Sequence, residues 1–233
     1  MLTSRAVKEF ALNVAKVDLV GIAPVARFRG APSDLHPSTI MPGCRSVVVI
    51  ASRIPRGCYR GIDEGTHWPS YNVFGYIRLS GRLADAAYRI SRFIEDHGYE
   101  ACCPGMAASS REMGPRRPPA AGKPAPDVNL HLRIAAMLAG LGEIGWSKVF
   151  LTEEFGPRQR LNAILTDAEL EPDPVRVGRL CDRCGRCVSE CPAGAIPRDR
   201  SAGIDVDGTR VEWADIDIGR CKLTHFGKNR RNG

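Results

Sequence analysis

Cys181-Asp-Arg-Cys184-Gly-Arg-Cys187-Val-Ser-Glu-Cys191-Pro192 is the stretch on which the reading of this chain turns. Four cysteines at C-x2-C-x2-C-x3-C, closed by proline, have the spacing by which a tight loop binds a cubane iron–sulfur cluster. The short spacers let three thiolates converge on one cluster. The fourth cysteine, at the start of the next helix, usually ligates a different one. Gly185 and Gly194 supply backbone freedom to the loop. A zinc site is the competing reading, but zinc sites usually split their cysteines into two separated pairs. The stretch therefore predicts single-electron transfer.

The rest of the composition agrees with a metal role for these thiols. The chain has 233 residues and nine cysteines, an odd number. The N-terminal residues Met1–Phe10 contain neither an apolar signal core nor paired arginines. No apolar run is long enough to span a bilayer. The expectation is a cytoplasmic protein without membrane attachment, whose cysteines serve metals or packing rather than disulfides. Apolar residues at 43% and charged residues at 25% are ordinary for a globular protein. The net charge of +7 permits an RNA, a membrane face or an acidic electron donor as partner, or simply a solvated basic face.

Working outward toward the N-terminus, the pattern alternates helices and strands. Residues 3–16 read as an amphipathic helix with Ala6, Phe10 and Val14 on one face. Residues 18–24 read as a strand ending at Pro24, and 44–52 as a β-branched, buried strand. A helix is expected over 75–97, with a stop at Gly98. Short strands are expected at 99–103 and 161–166, and a helix at 128–140 with Leu130, Ile134, Met137 and Leu138 inward. The proline- and arginine-rich stretch 111–126 reads as a mobile loop. The aromatic segment His67–Tyr76 reads either as a pocket lining or as a structural loop. These elements predict an α/β layered core over residues 1–174 and a small cluster domain over 175–233, with Glu171–Val175 as the linker between them.

Several residues outside the cassette are candidates for chemistry. Gly140, Gly142 and Gly145 lie within six residues and admit a close approach by another chain segment or a cofactor. Glu143, inside this apolar turn, is either a general acid or a cap for nearby backbone N–H groups. Arg158 and Arg160 are a candidate anion site or a salt-bridged surface pair. His131 reads as a satisfied structural histidine, and Cys44, Cys58, Cys102 and Cys103 as packing residues.

The order of Asp18–Pro24, Pro42–Ala51, Leu138–Gly145, Phe155–Arg160, Ile164–Asp173 and the cysteine run resembles the superfamily of epoxyqueuosine reductases and reductive dehalogenases. That resemblance implies a nitroreductase-like α/β core that binds cobalamin, followed by a ferredoxin-like module with two 4Fe-4S clusters. It implies that electrons from a ferredoxin or flavodoxin pass through the clusters to cobalt and drive reductive removal of an oxygen or halide. Transfer RNA is the substrate the epoxyqueuosine branch implies. Gly140, Gly142, Gly145, Arg158 and Arg160 become cofactor-binding candidates, and Asp127 and Glu143 catalytic ones. Three departures stand out. Glu143 replaces the tryptophan, and Trp146 the lysine, usual in epoxyqueuosine reductases. Asp127 is the only acid near the place of that family's proton-donating aspartate. Only Cys221 follows the cassette. Cys181, Cys184, Cys187, Cys191 and Cys221 make five of the eight ligands two clusters require. Either the natural chain continues past Gly233, or one cluster forms with Cys191 or Cys221 as its fourth ligand. At most one intact cubane is expected, with residues 198–210 and 226–233 mobile. The alternative to an enzyme is an electron-transfer module without substrate chemistry of its own.

Overall fold

The computed structural model describes residues 2–29, 31, 35–104, 121–122, 129–176, 178–206 and 209–225. The chain divides into two compact units. One comprises residues 1–141 and 158–175, the other 142–157 and 176–233. The last stretch of the first unit ends at Val175, and the second resumes at Arg176. Residues 142–157, assigned from sequence to the α/β layer, group instead with the cysteine-bearing unit.

The first unit is built on an antiparallel four-stranded sheet. Its strands are β1 (Leu19–Pro24), β2 (Ser46–Arg53), β3 (Ala101–Cys102) and β6 (Gln159–Thr166), in the order β1-β2-β6-β3. Register is fixed along the centre, where Val48 pairs with Ile22 on one side and Ile164 on the other. Seven of the eight β2 residues are buried, because helices cover both sheet faces. Ile22, Val48, Ile50 and Ile164 meet α1 (Ser4–Asn13) and α4 (Leu79–Glu95) through Val7, Ala11, Leu83, Ala87, Ile90 and Ile94. Alternation turns Val47, Val49 and Ala51 to the opposite face, and α5 (Leu132–Leu138) packs against the same three strands. Helix α1 starts at an N-cap Thr3 whose side chain accepts from the Ala6 N–H, and it buries Ser4, Val7 and Ala11. The face expected from sequence was displaced: Ala6 and Phe10 are only partly buried and Val14 is exposed. Phe10 is held instead by stacking on Phe93 at 4.3 Å.

The other short helices of this unit are α2 (Pro37–Ile40) and α3 (Gly57–Asp63). Residues 70–78 are not a loop. Ser70–Arg78 forms a π-helical run that continues directly into α4, so the helix expected from residue 75 begins earlier and with a wider winding. It leaves Phe74, Tyr76 and Ile77 exposed, and Trp68 just before it is exposed as well. The supposed linker is stitched down. The Asp173 carboxylate accepts from the Ile22 N–H at 2.9 Å and from Lys8 Nζ at 2.6 Å, while its own N–H donates to the Ile22 carbonyl. His131 caps α5 by accepting from the Ile134 N–H, the satisfied role expected of it. Asp127 and nearly all of the 111–126 stretch lie outside the described residues.

The second unit contains β4 (Glu143–Ile144) paired with β5 (Phe150–Leu151), the helix α6 (Arg186–Ser189), a hairpin of β7 (Ser201–Val206) and β8 (Thr209–Ala214), and α7 (Ile218–His225). Residues 201–206 and 209–214 pair as strands within the stretch from which mobility was expected, while residues 226–233, expected to be mobile as well, lie outside the described residues. Alternating Ile204/Val206 and Val211/Trp213 flank an Asp207-Gly208 dipeptide, which is a two-residue hairpin signal. Residues 206 and 209 pair across it. No helix among the described residues is long and apolar enough to cross a membrane.

Candidate metal centre

The cysteine loop lies wholly in the second unit, and local chemistry shapes it. Arg183 and Gly185 both adopt left-handed backbone, with φ of 56° and 79°. That winding lets the chain double back between Cys181 and Cys187. Asp182 closes the first bend by accepting from the Cys184 N–H at 3.1 Å, a side-chain turn typical of aspartate. The same bond holds the Asp182 carboxyl below its ordinary pKa. Gly185 then caps α6, which carries Cys187, and the helix stops before Cys191-Pro192.

The sulfur environments fit a cluster. Cys181 Sγ accepts the Trp146 backbone N–H at 3.3 Å, and Cys191 Sγ accepts that of Ala195 at 3.4 Å. Such N–H···S bonds are among the features that tune iron–sulfur sites. Burial, and then the proximity of Cys181 and Cys184, pushes the Cys187 thiol pKa up. Three thiols that feel one another repel as thiolates, and a bound cation relieves that repulsion. Cys184 is exposed, and Cys181, Cys187 and Cys191 are half-buried. Among the described residues, no three His, Cys, Asp or Glu side chains are gathered as for a metal ion. Cys221 is exposed on α7.

Glu143 is 4% exposed. Its Oε2 accepts from the Arg179 N–H at 2.8 Å, and its Oε1 from Leu180 at 3.0 Å and Cys181 at 2.6 Å. Both oxygens are occupied by the backbone that leads into the cassette, which is the capping geometry. A Cβ at Gly140 would stand 2.4 Å from the Pro174 carbonyl oxygen, and one at Gly142 2.0 Å from that of Leu151. At Gly145 it would stand 3.0 Å from Leu151 Cδ1. At Gly140 and Gly142 the close approach is thus made by backbone of the same unit, and at Gly145 by the Leu151 side chain.

Sequence reasoning missed the working role of Trp146. Its indole N–H donates to the Pro197 carbonyl at 2.9 Å, its own carbonyl accepts from Ala214, and Arg183 lies 4.9 Å over its ring. The only available signal was its position one residue beyond the glycine motif. In the first unit, Arg158 sits 4.8 Å over Tyr59 and Arg160 3.9 Å over Tyr76, with Tyr71 between the two rings. Arg160 also donates to Ser80 Oγ at 3.2 Å. Both guanidiniums thus rest on tyrosine rings, where the sequence left an anion site and a salt-bridged surface pair as alternatives. Tyr71 and Tyr76 come from the π-helical run, which a sequence pattern of period 3.6 does not reveal.

Residues 178–196 match the family model described as a 4Fe-4S binding domain. This places the loop among 4Fe-4S sites and supports the cluster as cofactor. The chain is 33% identical to the tetrachloroethene reductive dehalogenase of Dehalobacter restrictus over 121 residues, covering 51% of this chain and 18% of the relative. It is 27% identical to the epoxyqueuosine reductase of Gloeobacter violaceus over 229 residues, covering 90% of this chain and 55% of the relative. It thus spans about a fifth of the one and just over half of the other. The fold matches a catabolic reductive dehalogenase in complex with 3-bromo-4-hydroxybenzoic acid at TM-score 0.68, with 22% identity over 94% of this chain and 28% of that one. It matches the epoxyqueuosine reductase of Streptococcus thermophilus at TM-score 0.55, with 17% identity over 89% of this chain and 55% of that one. The chain is similar in sequence to reductive dehalogenases and to an epoxyqueuosine reductase, and it combines an α/β fold like theirs with a segment that matches the 4Fe-4S binding domain.

Proposed function

We propose that the chain is part of an iron–sulfur oxidoreductase of the cytoplasm, in which a 4Fe-4S cluster relays electrons to a corrinoid or directly to a substrate. The observation that carries this reading is the joining of a wound, four-cysteine loop to an α/β core whose named homologues are reductases. A carrier of electrons alone needs only the cluster unit. Cys181, Cys184 and Cys187 hold the cluster, with Cys191 or Cys221 as the fourth ligand. The cluster supplies one-electron storage at the redox step.

The chain's own residues do the rest. Glu143 and Trp146 fix the path of the backbone into the loop. The exposed edge of Cys184 offers access to a donor such as ferredoxin or flavodoxin. Arg158 and Arg160, set over tyrosines, present two cations with no carboxylate partner among the described residues. Such a pair suits an anionic group on a planar ligand, whether a halogenated aromatic acid or a transfer RNA phosphate. Titration of the reconstituted protein with cob(II)alamin, followed by electron paramagnetic resonance, tests the corrinoid step. A changed cobalt signal is expected, and an unchanged one returns the electrons to the substrate directly. Turnover with a brominated hydroxybenzoate and with epoxyqueuosine-containing transfer RNA separates the two substrate classes. Turnover of neither, in protein that holds its cluster, rejects the enzymatic reading.

A further inference from the structure

The short stretch Gly142–Trp146 does more than connect elements. Glu143 leaves the β4 backbone, where it pairs with Leu151, and buries its carboxylate under three successive amides of residues 179, 180 and 181. Three N–H groups aimed at one point form an anion-binding concavity, and here a side chain of the same unit fills it. Three residues later the Trp146 N–H reaches the sulfur of Cys181. Cys181 is thus gripped twice, at its own N–H by Glu143 and at its sulfur by Trp146. The Trp146 side chain extends the grip beyond the cassette to Pro197, and its ring carries Arg183 from within it. None of these contacts uses Cys184, Cys187 or Cys191, so the arrangement does not depend on iron to hold it together.

We infer that Gly142–Trp146 is a clip that seats Cys181 before iron arrives, and that Glu143 is a charged positioning residue that makes the cluster harder to reduce. The inference builds on the iron–sulfur reading. The physical basis has two opposed parts. The N–H···S bond from Trp146 withdraws charge from the sulfur and favours reduction. A carboxylate one residue's backbone away from a cluster ligand opposes the added electron, and the low local dielectric around a buried group strengthens that opposition. The backbone N–H stays when Glu143 is replaced, so a substitution there isolates the carboxylate's part.

Two measurements decide the matter in the full chain. The first needs no cluster: amide hydrogen exchange at residues 179–181 of the iron-free protein. The wild type should protect these amides, and E143A should exchange them at least tenfold faster. Unprotected amides in the iron-free wild type overturn the clip. The second is the midpoint potential of the reconstituted wild type and of E143Q, which keeps the shape and removes the charge. E143Q should be about tenfold easier to reduce, a positive shift of about 59 mV for one electron. Equal potentials overturn the electrostatic role. If E143Q takes up no iron, the comparison passes to E143D, which keeps the charge. Iron uptake by E143D then supports the charged clip, and normal uptake by E143A overturns it. A wild type that holds no iron at all would defeat the cluster reading, while amide exchange would still judge the clip.

Discussion

The two compact units are held together by different physics. In the first, α1 and α4 close over Ile22, Val48, Ile50 and Ile164, and the centre of the sheet is almost wholly removed from water. In the second, the described apolar residues that are buried are few: Ile144, Phe150, Ala195, Val211, Trp213 and Ala214. Its α7 leaves Ile218 and Leu223 exposed. Bonds to backbone replace the missing core: Glu143 to three amides, the Trp146 indole to Pro197, and Asp182 to Cys184. A small unit with little apolar burial draws its stability from elsewhere, and bound metal is the common source. The first unit should therefore be indifferent to iron, and in the second iron should add stability to what the backbone bonds already hold in place.

The largest break in that comparison is expected from C184S. Loss of this ligand should abolish the cluster absorbance and lower the temperature at which the second unit melts. The helical signal of the first unit should melt at its wild-type temperature. Elemental analysis and circular dichroism on the same sample read both halves. A single transition that shifts as a whole would show that the units share their stability.

The converse experiment is Leu83→Ala. Leu83 is fully buried between α4 and the sheet. Truncating a leucine at such a site costs about 2–5 kcal/mol. Denaturant unfolding should show that loss in the first unit, with iron per folded chain unchanged. Depleted iron in the folded fraction would contradict the separation.

A matched pair of glycine substitutions sharpens the contrast at smaller amplitude. A Cβ at Gly21 would stand 2.2 Å from the Ala139 carbonyl oxygen, and one at Gly142 2.0 Å from that of Leu151. Each alanine should cost about 1–3 kcal/mol through overpacking. G21A should lower the unfolding midpoint of the first unit, and G142A the iron retention of the second. Both variants affecting the same readout would remove the distinction.

The contrast also explains what the sequence disclosed. Strands β1, β2 and β6 were legible because apolar burial writes a run of Val, Ile and Leu that survives without knowledge of the fold. The cysteine loop was legible because ligand spacing is a local constraint. The Glu143 and Trp146 contacts were not, since they join residues at least 35 positions apart in the chain and leave no periodicity. The π-helical run was missed because its period differs from that of an ordinary helix. The β7–β8 pairing was available in Asp207-Gly208 and its alternating flanks, a signal that the expectation of mobility over 198–210 left unread. The α1 face was misjudged because Phe10 stacks at the margin of the core while the smaller Val7 and Ala11 occupy its centre.

The smallest expected effect separates the cysteines of the two units by reactivity. Cys44 lies buried in the first unit, its Sγ donating to the Ser46 carbonyl at 3.5 Å. Burial is the main cause that raises its thiol pKa from 9.0 to about 11. A raised pKa means that the folded state holds this proton more tightly than the unfolded state does. The linked stability is therefore fully present below pH 9, and it is lost as pH rises from about 9 through about 11. The first unit should show a modest fall in unfolding midpoint across that window, and Cys44→Ala should flatten it. Alkylation at pH 8 offers an independent check. In iron-free protein the exposed Cys184 and Cys221 should be modified readily, while Cys44 stays protected until the first unit unfolds. Modification of Cys44 in the folded chain at the rate of Cys184 would show that its burial is not maintained in solution.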